Sequence, residues 1–327
     1  MHAMTRSSGC LLASVILAYS GAAIAQDKPA GYPSRPIRLI VAAAPGAGGD
    51  MMARAVGQML TDAWGQNAIV DNRQGGSGAI GVELVARSAP DGYTLLSLGD
   101  TIVLLGATKR VPFDIVKAFD PIVPTSTQPY VLLANLNMPF KSIKELIAYS
   151  ATQTVTYSGA SGVGNTVHLG MERFAQLSGA KLLFVPYKGT APAIVAVMGG
   201  EIHMAAASAM SATAAIKTGK VRALAAMGLT RIPSMPDLPT VAEQGFPGFK
   251  ITNRYGLHAP GGTPRAILAA INRVVSDGMR SPQMRQKLEA EGAQPAERMT
   301  PEQLKAAMAR EIAEMEQQVK RLNIKIE

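Results

Sequence analysis

Ile37-Arg38-Leu39-Ile40-Val41-Ala42-Ala43-Ala44-Pro45-Gly46-Ala47-Gly48-Gly49-Asp50, running on into Met51–Trp64, is the stretch that decides the fold class. Ile37–Ala42 is an apolar β-type run. A glycine-rich bend follows, and then Met52, Val56, Met59, Leu60 and Ala63 recur at helical spacing. Strand, tight loop and amphipathic helix form the repeating unit of α/β folds. The alternation continues outward with a strand at Ala68–Val70, a helix at Ile80–Ser88 and a strand at Tyr93–Leu98. Further strands are expected at Tyr130–Ala134, Leu182–Val185, Ile202–Ala206, Val221–Met227 and Tyr255–Ala259. Parallel sheets covered by helices on both faces fit this pattern. Ser142 with Glu145, and Thr300-Pro301 with Gln303, read as capping boxes, and Pro264 and Pro282 as first-position prolines. One sheet holding every strand would be unusually large. Two lobes are therefore expected, with crossovers at Pro121–Gln128 and Lys250–Arg254. Lobe 1 would be discontinuous, 32–125 plus 253–327, and lobe 2 would be 126–252. The last helix, Pro301–Arg321, carries Leu304, Met308, Ile312, Met315 and Val319 on one face and reads as a packing face across the lobes.

Composition narrows the function classes. A chain of 327 residues that is 47% hydrophobic and 17% charged can bury a large core and is not disordered. The single cysteine excludes a disulfide scaffold and a cysteine-built metal site. The net charge of +9 is spread along the chain, with no basic stretch interleaved with aromatics. It favours anions mildly and gives little support to a nucleic-acid partner. Residues 1–25 read as a signal peptide: Arg6 supplies the positive start, Leu11–Ala25 the apolar run, and Ala23-Ile24-Ala25 the cleavage pattern. The run is shorter than the roughly 20 apolar residues that span a bilayer. Cleavage after Ala25 would remove Cys10 and leave a cysteine-free protein in the periplasm.

Three glycine-rich loops carry the chemical signal. Pro45-Gly46-Ala47-Gly48-Gly49-Asp50 lies between the first strand and first helix. Glycine lets the backbone approach a ligand, and a helix start offers unpaired N–H groups with a partial positive charge, so an anion can bind without a charged side chain. Asp50 itself reads as the N-cap. Arg73-Gln74-Gly75-Gly76-Ser77-Gly78-Ala79-Ile80-Gly81 repeats the arrangement after the second strand. Gly76-x-Gly78-x-x-Gly81 formally matches a dinucleotide fingerprint, and Asp100 lies about 20 residues on, where a ribose-binding acid belongs. An NAD-dependent oxidoreductase is thus the alternative, although the fingerprint follows the second strand and an exported protein meets little NAD. Ser158-Gly159-Ala160-Ser161-Gly162-Val163-Gly164-Asn165 leads into a helix with His168. Its amides, hydroxyls and Asn amide suit a carboxylate. Catalytic signals are thin. Ser77 and Ser161 miss the G-x-S-x-G elbow, and His2, His168, His203 and His258 lack metal spacing and read as structural or surface residues.

A set of motifs in fixed order carries a family resemblance. It comprises Tyr32-Pro33-Ser34-Arg35-Pro36-Ile37, the Pro45–Asp50 loop with Ala53-Arg54, Asp71-Asn72-Arg73, and Pro90-Asp91-Gly92-Tyr93-Thr94-Leu95-Leu96. It continues through Pro112-Phe113-Asp114, Gly162-x-Gly164 with His168-Leu169, Val185-Pro186-Tyr187-Lys188-Gly189, and Ala259-Pro260 with Gly262-Thr263-Pro264. The chain resembles the Bug-type extracytoplasmic solute receptors of tripartite tricarboxylate transporters. The resemblance implies a two-lobed, Venus-flytrap periplasmic binding protein, type II-like, without catalysis or cofactor. It would act as a monomer, close around a small carboxylate, and present it to membrane permease subunits. A sensory role toward a membrane histidine kinase would use the same closed surface. Implied first-lobe contacts are Gly46, Ala47, Gly48, Gly49, Gly75, Gly76, Ser77, Gly78, Asp100 and Thr101, with Pro45 and Asp50 in the same loop. Implied second-lobe contacts are Ser158, Ser161, Gly162, Val163, Gly164, Asn165, His168, Tyr187, Lys188 and Gly189. The family's first loop usually reads Pro-Phe-Pro-Pro-Gly-Gly. Here Ala42-Ala43-Ala44-Pro45-Gly46-Ala47 lacks the aromatic that could cover a ligand, implying a roomier cleft.

Overall fold

The computed structural model describes residues 29–159 and 163–322. The signal-peptide reading lies outside them. In chain order the elements are β1 (Ile37–Val41), α1 (Gly48–Trp64), β2 (Ala68–Asn72), α2 (Ala79–Ala86), β3 (Thr94–Leu98), α3 (Thr101–Ala107), α4 (Ile115–Ala118) and β4 (Phe119–Asn135). Then come α5 (Ile143–Ser150), β5 (Val155–Ser158), α6 (Thr166–Ser178), β6 (Leu182–Phe184), α7 (Thr190–Gly199), β7 (Met204–Ser208), α8 (Ala209–Lys217) and β8 (Val221–Ala226). The chain closes with β9 (Thr252–Pro260), α9 (Arg265–Met279), α10 (Pro282–Ala290), β10 (Gln294–Pro295) and α11 (Pro301–Leu322).

β1 pairs in parallel with β2 and β3, and β5 with β6 and β7. Every pairing made by β4 and β9 is antiparallel, so the sheet is mixed, and the expectation of wholly parallel sheets is corrected. The two expected crossovers are also strands. β4 is 17 residues long and absorbs Pro121–Gln128, while β9 begins at Thr252. Pro121 and Pro124 lie within this strand although proline cannot donate to a ladder. Here each borders a register shift against β9, where an irregularity tolerates the missing N–H. Through β4 eight strands join in one path, order β2-β1-β3-β9-β4-β7-β5-β6, and β8 and β10 pair with β4 off that path.

The cores nevertheless separate. Ile37, Leu39, Val56 and Leu60 pack with Leu257, Ile271 and Val275 on one face of the first half, and Ile40, Val82, Leu96, Leu105 and Met308 on the other. In the second half, Tyr157, Met171 and Phe174 fill one face and Val131, Val197 and Ala207 the other. Each half therefore has its own two-faced core, the α/β, two-lobed periplasmic-binding-protein architecture. α11 buries Leu304 and Met308 as its periodicity required, and packs on α3, β4 and α6, reaching both halves.

Helix starts differ in detail from their sequence signals. Thr300 and Gln303 form a full capping box. Ser142 Oγ accepts from Glu145 N–H, but the Glu145 carboxylate accepts from Lys141 N–H instead of closing the box. Pro264 is the residue before α9 instead of its first.

Candidate functional site

A cavity of about 800 Å3 opens between the halves. Its floor is the bend after β1. Asp50, expected to cap α1, is the third residue of that helix, and Ala47 is the cap position. The Asp50 carboxylate accepts from Gly46 N–H (3.0 Å), Arg54 Nε (3.0 Å) and Asn72 Nδ2 (3.1 Å). Burial pushes its pKa up, but these donors outweigh burial and hold it below the usual carboxylate range. Asp50 thus shapes the loop from behind. Asn72 also donates to the Ala43 carbonyl (3.0 Å).

With alanine at the cap position, α1 has no side-chain cap, and Gly48 and Gly49 line the cavity. α7 begins opposite, in the second half. Its cap residue Gly189 brings no side chain, and Pro192 removes one N–H from its first turn, leaving Thr190 and Ala191 to line the cavity. Two helix starts, one from each half, therefore face the same space without side-chain caps. The starts of α2, α3, α8 and α9 likewise carry no side-chain cap, whereas those of α4, α5, α6 and α10 are capped by Asp114, Ser142, Asn165 and Ser281. Uncapped first-turn amides with the positive end of a helix dipole make an anion site.

The turn before α2 supplies another wall. Gly75, Gly76, Ser77 and Gly78 all have positive φ, from 52° to 125°, which explains the glycine run. Gly75, Gly76 and Ser77 line the cavity, as do Thr101, Tyr187, Lys188 and Gly189. Pro45, Gly46, Asp50, Gly78 and Asp100 do not line it among the described residues. Asp100 faces a separate small space of about 20 Å3 with Arg254 and His258. Its carboxylate accepts from Arg254 N–H (3.0 Å), and burial, only partly offset by Arg254, pushes its pKa up to about 6. The acid that a dinucleotide would require is therefore turned away from the glycine loop.

The third loop is arranged differently from its sequence reading. Ser161 and Gly162 lie outside the described residues. Ser158, Val163, Gly164, Asn165 and His168 do not line the cavity. The buried Ser158 Oγ has no hydrogen-bond partner among the described residues, while Gly164, Asn165 and His168 serve the loop itself: Gly164 N–H donates to His168 Nδ1 (2.8 Å), His168 N–H to Asn165 Oδ1 (2.9 Å), and Asn165 Nδ2 to the Gly159 carbonyl (2.9 Å). The His168 ring stacks on Phe184 at 4.1 Å, and burial lowers its pKa to about 4. A neutral ring accepting at Nδ1 is a structural element of lobe 2. His203 is structural too, accepting from Thr156 N–H (2.9 Å).

Several lining residues had no sequence signal of their own: Ser97, Tyr130, Ser208, Ser211, Asn253 and Tyr255. They sit on or just beyond strands whose convergence only the sheet order reveals. Ser208, ending β7 before a helix, is a strand-to-helix polar residue of the kind that marked the other loops.

The chain matches the family model described as the tripartite tricarboxylate transporter family receptor over residues 52–324. It belongs to that family. BugT of Bordetella pertussis is 34% identical over 285 residues, covering 86% of this chain and 87% of that protein. Among solved structures, an R. palustris protein with adipate superposes with TM-score 0.84 at 30% identity, covering 90% of this chain and 99% of the other. The periplasmic binding protein BugD superposes with TM-score 0.82 at 30% identity, covering 90% and 99%. The tripartite tricarboxylate receptor family is one of periplasmic solute-binding proteins, and the Bug-type resemblance of the motifs is thereby confirmed.

Proposed function

We propose that this protein is an exported receptor that captures a small organic acid between its lobes and delivers it to the membrane permease of a tripartite-type transporter. The uncapped starts of α1 and α7, facing one cavity from opposite halves, carry this reading. Each charge-assisted hydrogen bond from such an amide contributes about 1.5–3 kcal/mol, and helix dipoles add up to ~1 kcal/mol at an exposed site. Lobes 32–125 plus 253–327 and 126–252 would close about β4 and β9. Gly48, Gly49, Gly75, Gly76, Ser77, Thr101, Tyr187 and Gly189 would then surround the acid, with Ser208 and Tyr255 joining them. The adipate held by the R. palustris relative supports an acidic ligand. No cluster of potential metal-ligating side chains exists among the described residues, so the anion would be held by main-chain donors and hydroxyls.

The test is thermal unfolding of the purified, processed protein with succinate, malate, adipate, citrate and amino acids in turn. A ligand at about 100 times its Kd stabilises the fold by ~2.7 kcal/mol, a shift of several degrees. Melting curves unmoved by every acid would sink the proposal. Delivery is tested by ligand uptake into vesicles carrying the permease, with and without the receptor.

A further inference from the structure

Resting on the carboxylate-receptor reading, the charges behind the cavity wall point to a second guest. We infer that the receptor binds its acid together with a proton, which the Asp100 carboxylate accepts from behind the wall.

Asp100 stands between two residues that line the cavity, Gly99 and Thr101, and Gly99 also lines the small space that Asp100 faces. A single residue thus separates the acid's compartment from this carboxylate. Asp100 N–H donates to Oδ1 of Asn253 (3.1 Å), itself a lining residue. The Asp100 carboxylate accepts from the main-chain N–H of Arg254 (3.0 Å), whereas the Arg254 guanidinium donates to the Glu311 carboxylate on α11. Two carboxylates therefore share one guanidinium, and one surplus negative charge lies beside a site built for anions.

The other groups that face Asp100 do not offset that surplus. On β9, burial pushes the pKa of His258 down to about 3 and keeps its ring neutral, and burial keeps the phenols of Tyr255 and of Tyr130 on β4 protonated. Besides Glu311, α11 brings the apolar Leu304 and Met308. Of the two acids, Glu311 holds the guanidinium directly, and Asp100 adjoins the cavity wall. Like charges in a partly desolvated space raise each other's affinity for a proton, so an arriving carboxylate favours protonation of Asp100. Burial already holds that group at about 6. A bound state that carries more protons than the free state binds more tightly as pH falls.

Succinate, malate and adipate, ionised at pH 7, test this. Calorimetric titration of the purified protein in PIPES and in Tris, which differ in ionisation heat, reads the protons taken up. Uptake of about 0.4 proton or more per acid bound is expected at pH 7, with a Kd about fivefold tighter at pH 6 than at pH 8, as a rise of about one pKa unit on binding requires. Asp100→Asn, neutral throughout, is expected to bind at the tight value at both pH values without uptake. Should that variant not fold, Glu311→Gln takes its place, since it frees the guanidinium for Asp100 and is expected to cut the uptake by more than half. Uptake below about 0.2 proton in the unsubstituted protein overturns the inference, and so does uptake that stays above half its value in D100N or, in its place, E311Q. In each of these cases binding of the acid keeps the receptor reading intact. Absence of binding by every acid defeats the receptor reading, and this inference with it.

Discussion

The Tyr255 hydroxyl stands against the α-carbon of Gly48, so close that a Cβ on Gly48 would lie 2.8 Å from it. The same Cβ would lie 3.3 Å from Ser208 Oγ. β9, the start of α1 and the end of β7 therefore meet at a point where only a hydrogen atom fits. Gly48→Ala would push the rigid Tyr255 ring, or the helix start, out of place. Affinity for the bound acid is expected to fall about tenfold, the cost of one charge-assisted hydrogen bond. Stability should also fall, by about 1–3 kcal/mol, because the forced shift is an overpacking cost that the helix preference of alanine does not offset. Calorimetry beside a melting curve separates the two, and unchanged affinity would remove the α1 start from the site.

Lys188 lies exposed at the cavity edge, where its charge is screened. Lys188→Ala should weaken binding of an acid by only ~2–5-fold at low salt, the range of an exposed ion pair. The difference from the unsubstituted protein should vanish at high salt, because an edge charge acts through long-range attraction. Dissociation constants at two ionic strengths check this. A loss of a hundredfold would place Lys188 in direct, desolvated contact.

Gln128, fully buried on β4, accepts at Oε1 from Met210 N–H at the start of α8 (3.1 Å). Gln128→Leu strands that buried amide. A stability loss of about 1–3 kcal/mol is expected in urea unfolding. A midpoint shift below ~0.5 kcal/mol would mean that the amide finds another partner.

Acidification should act on this fold in two opposed ways. His168 titrates near 4 in the folded state against 6.5 ordinarily, because burial disfavours its charged form. Between those values the unfolded chain binds more protons, so stability falls as pH drops through that window. Asp100 titrates at about 6 against 3.8 ordinarily, chiefly through burial. Between those values the folded state binds more protons, so this group adds stability as pH falls from about 6 toward 4. Asp100→Asn removes the second effect alone. Its denaturation midpoint should therefore decline more steeply than that of the unsubstituted protein between pH 6 and 4, and equal slopes would contradict the assignment.

The first two glycine loops were legible because positive φ and close approach demand glycine, and glycine is visible in one dimension. The Gly75–Gly78 turn illustrates this directly. The alternation of strand and helix was legible for the same local reason, since burial period follows element type. The α6 loop reads differently in space than along the chain: Asn165 and His168 look like ligand donors in sequence, while in the structure they bond to the helix start and its loop. Ser208, Tyr130 and Tyr255 were invisible as site residues because their role depends on which strands adjoin β4, a long-range fact. Pro121 and Pro124 suggested a linker, and only the register shifts opposite β9 reconcile them with a strand.

That β4 runs unbroken through both halves places a constraint on how the protein can change over generations. Successive side chains on a strand point to opposite faces, so adding or deleting one residue midway along β4 would invert the inside and outside of one lobe relative to the other. Surface loops can gain and lose residues freely, whereas the spine shared by the lobes must keep its parity, and the two halves can diverge in sequence only while remaining in step along it.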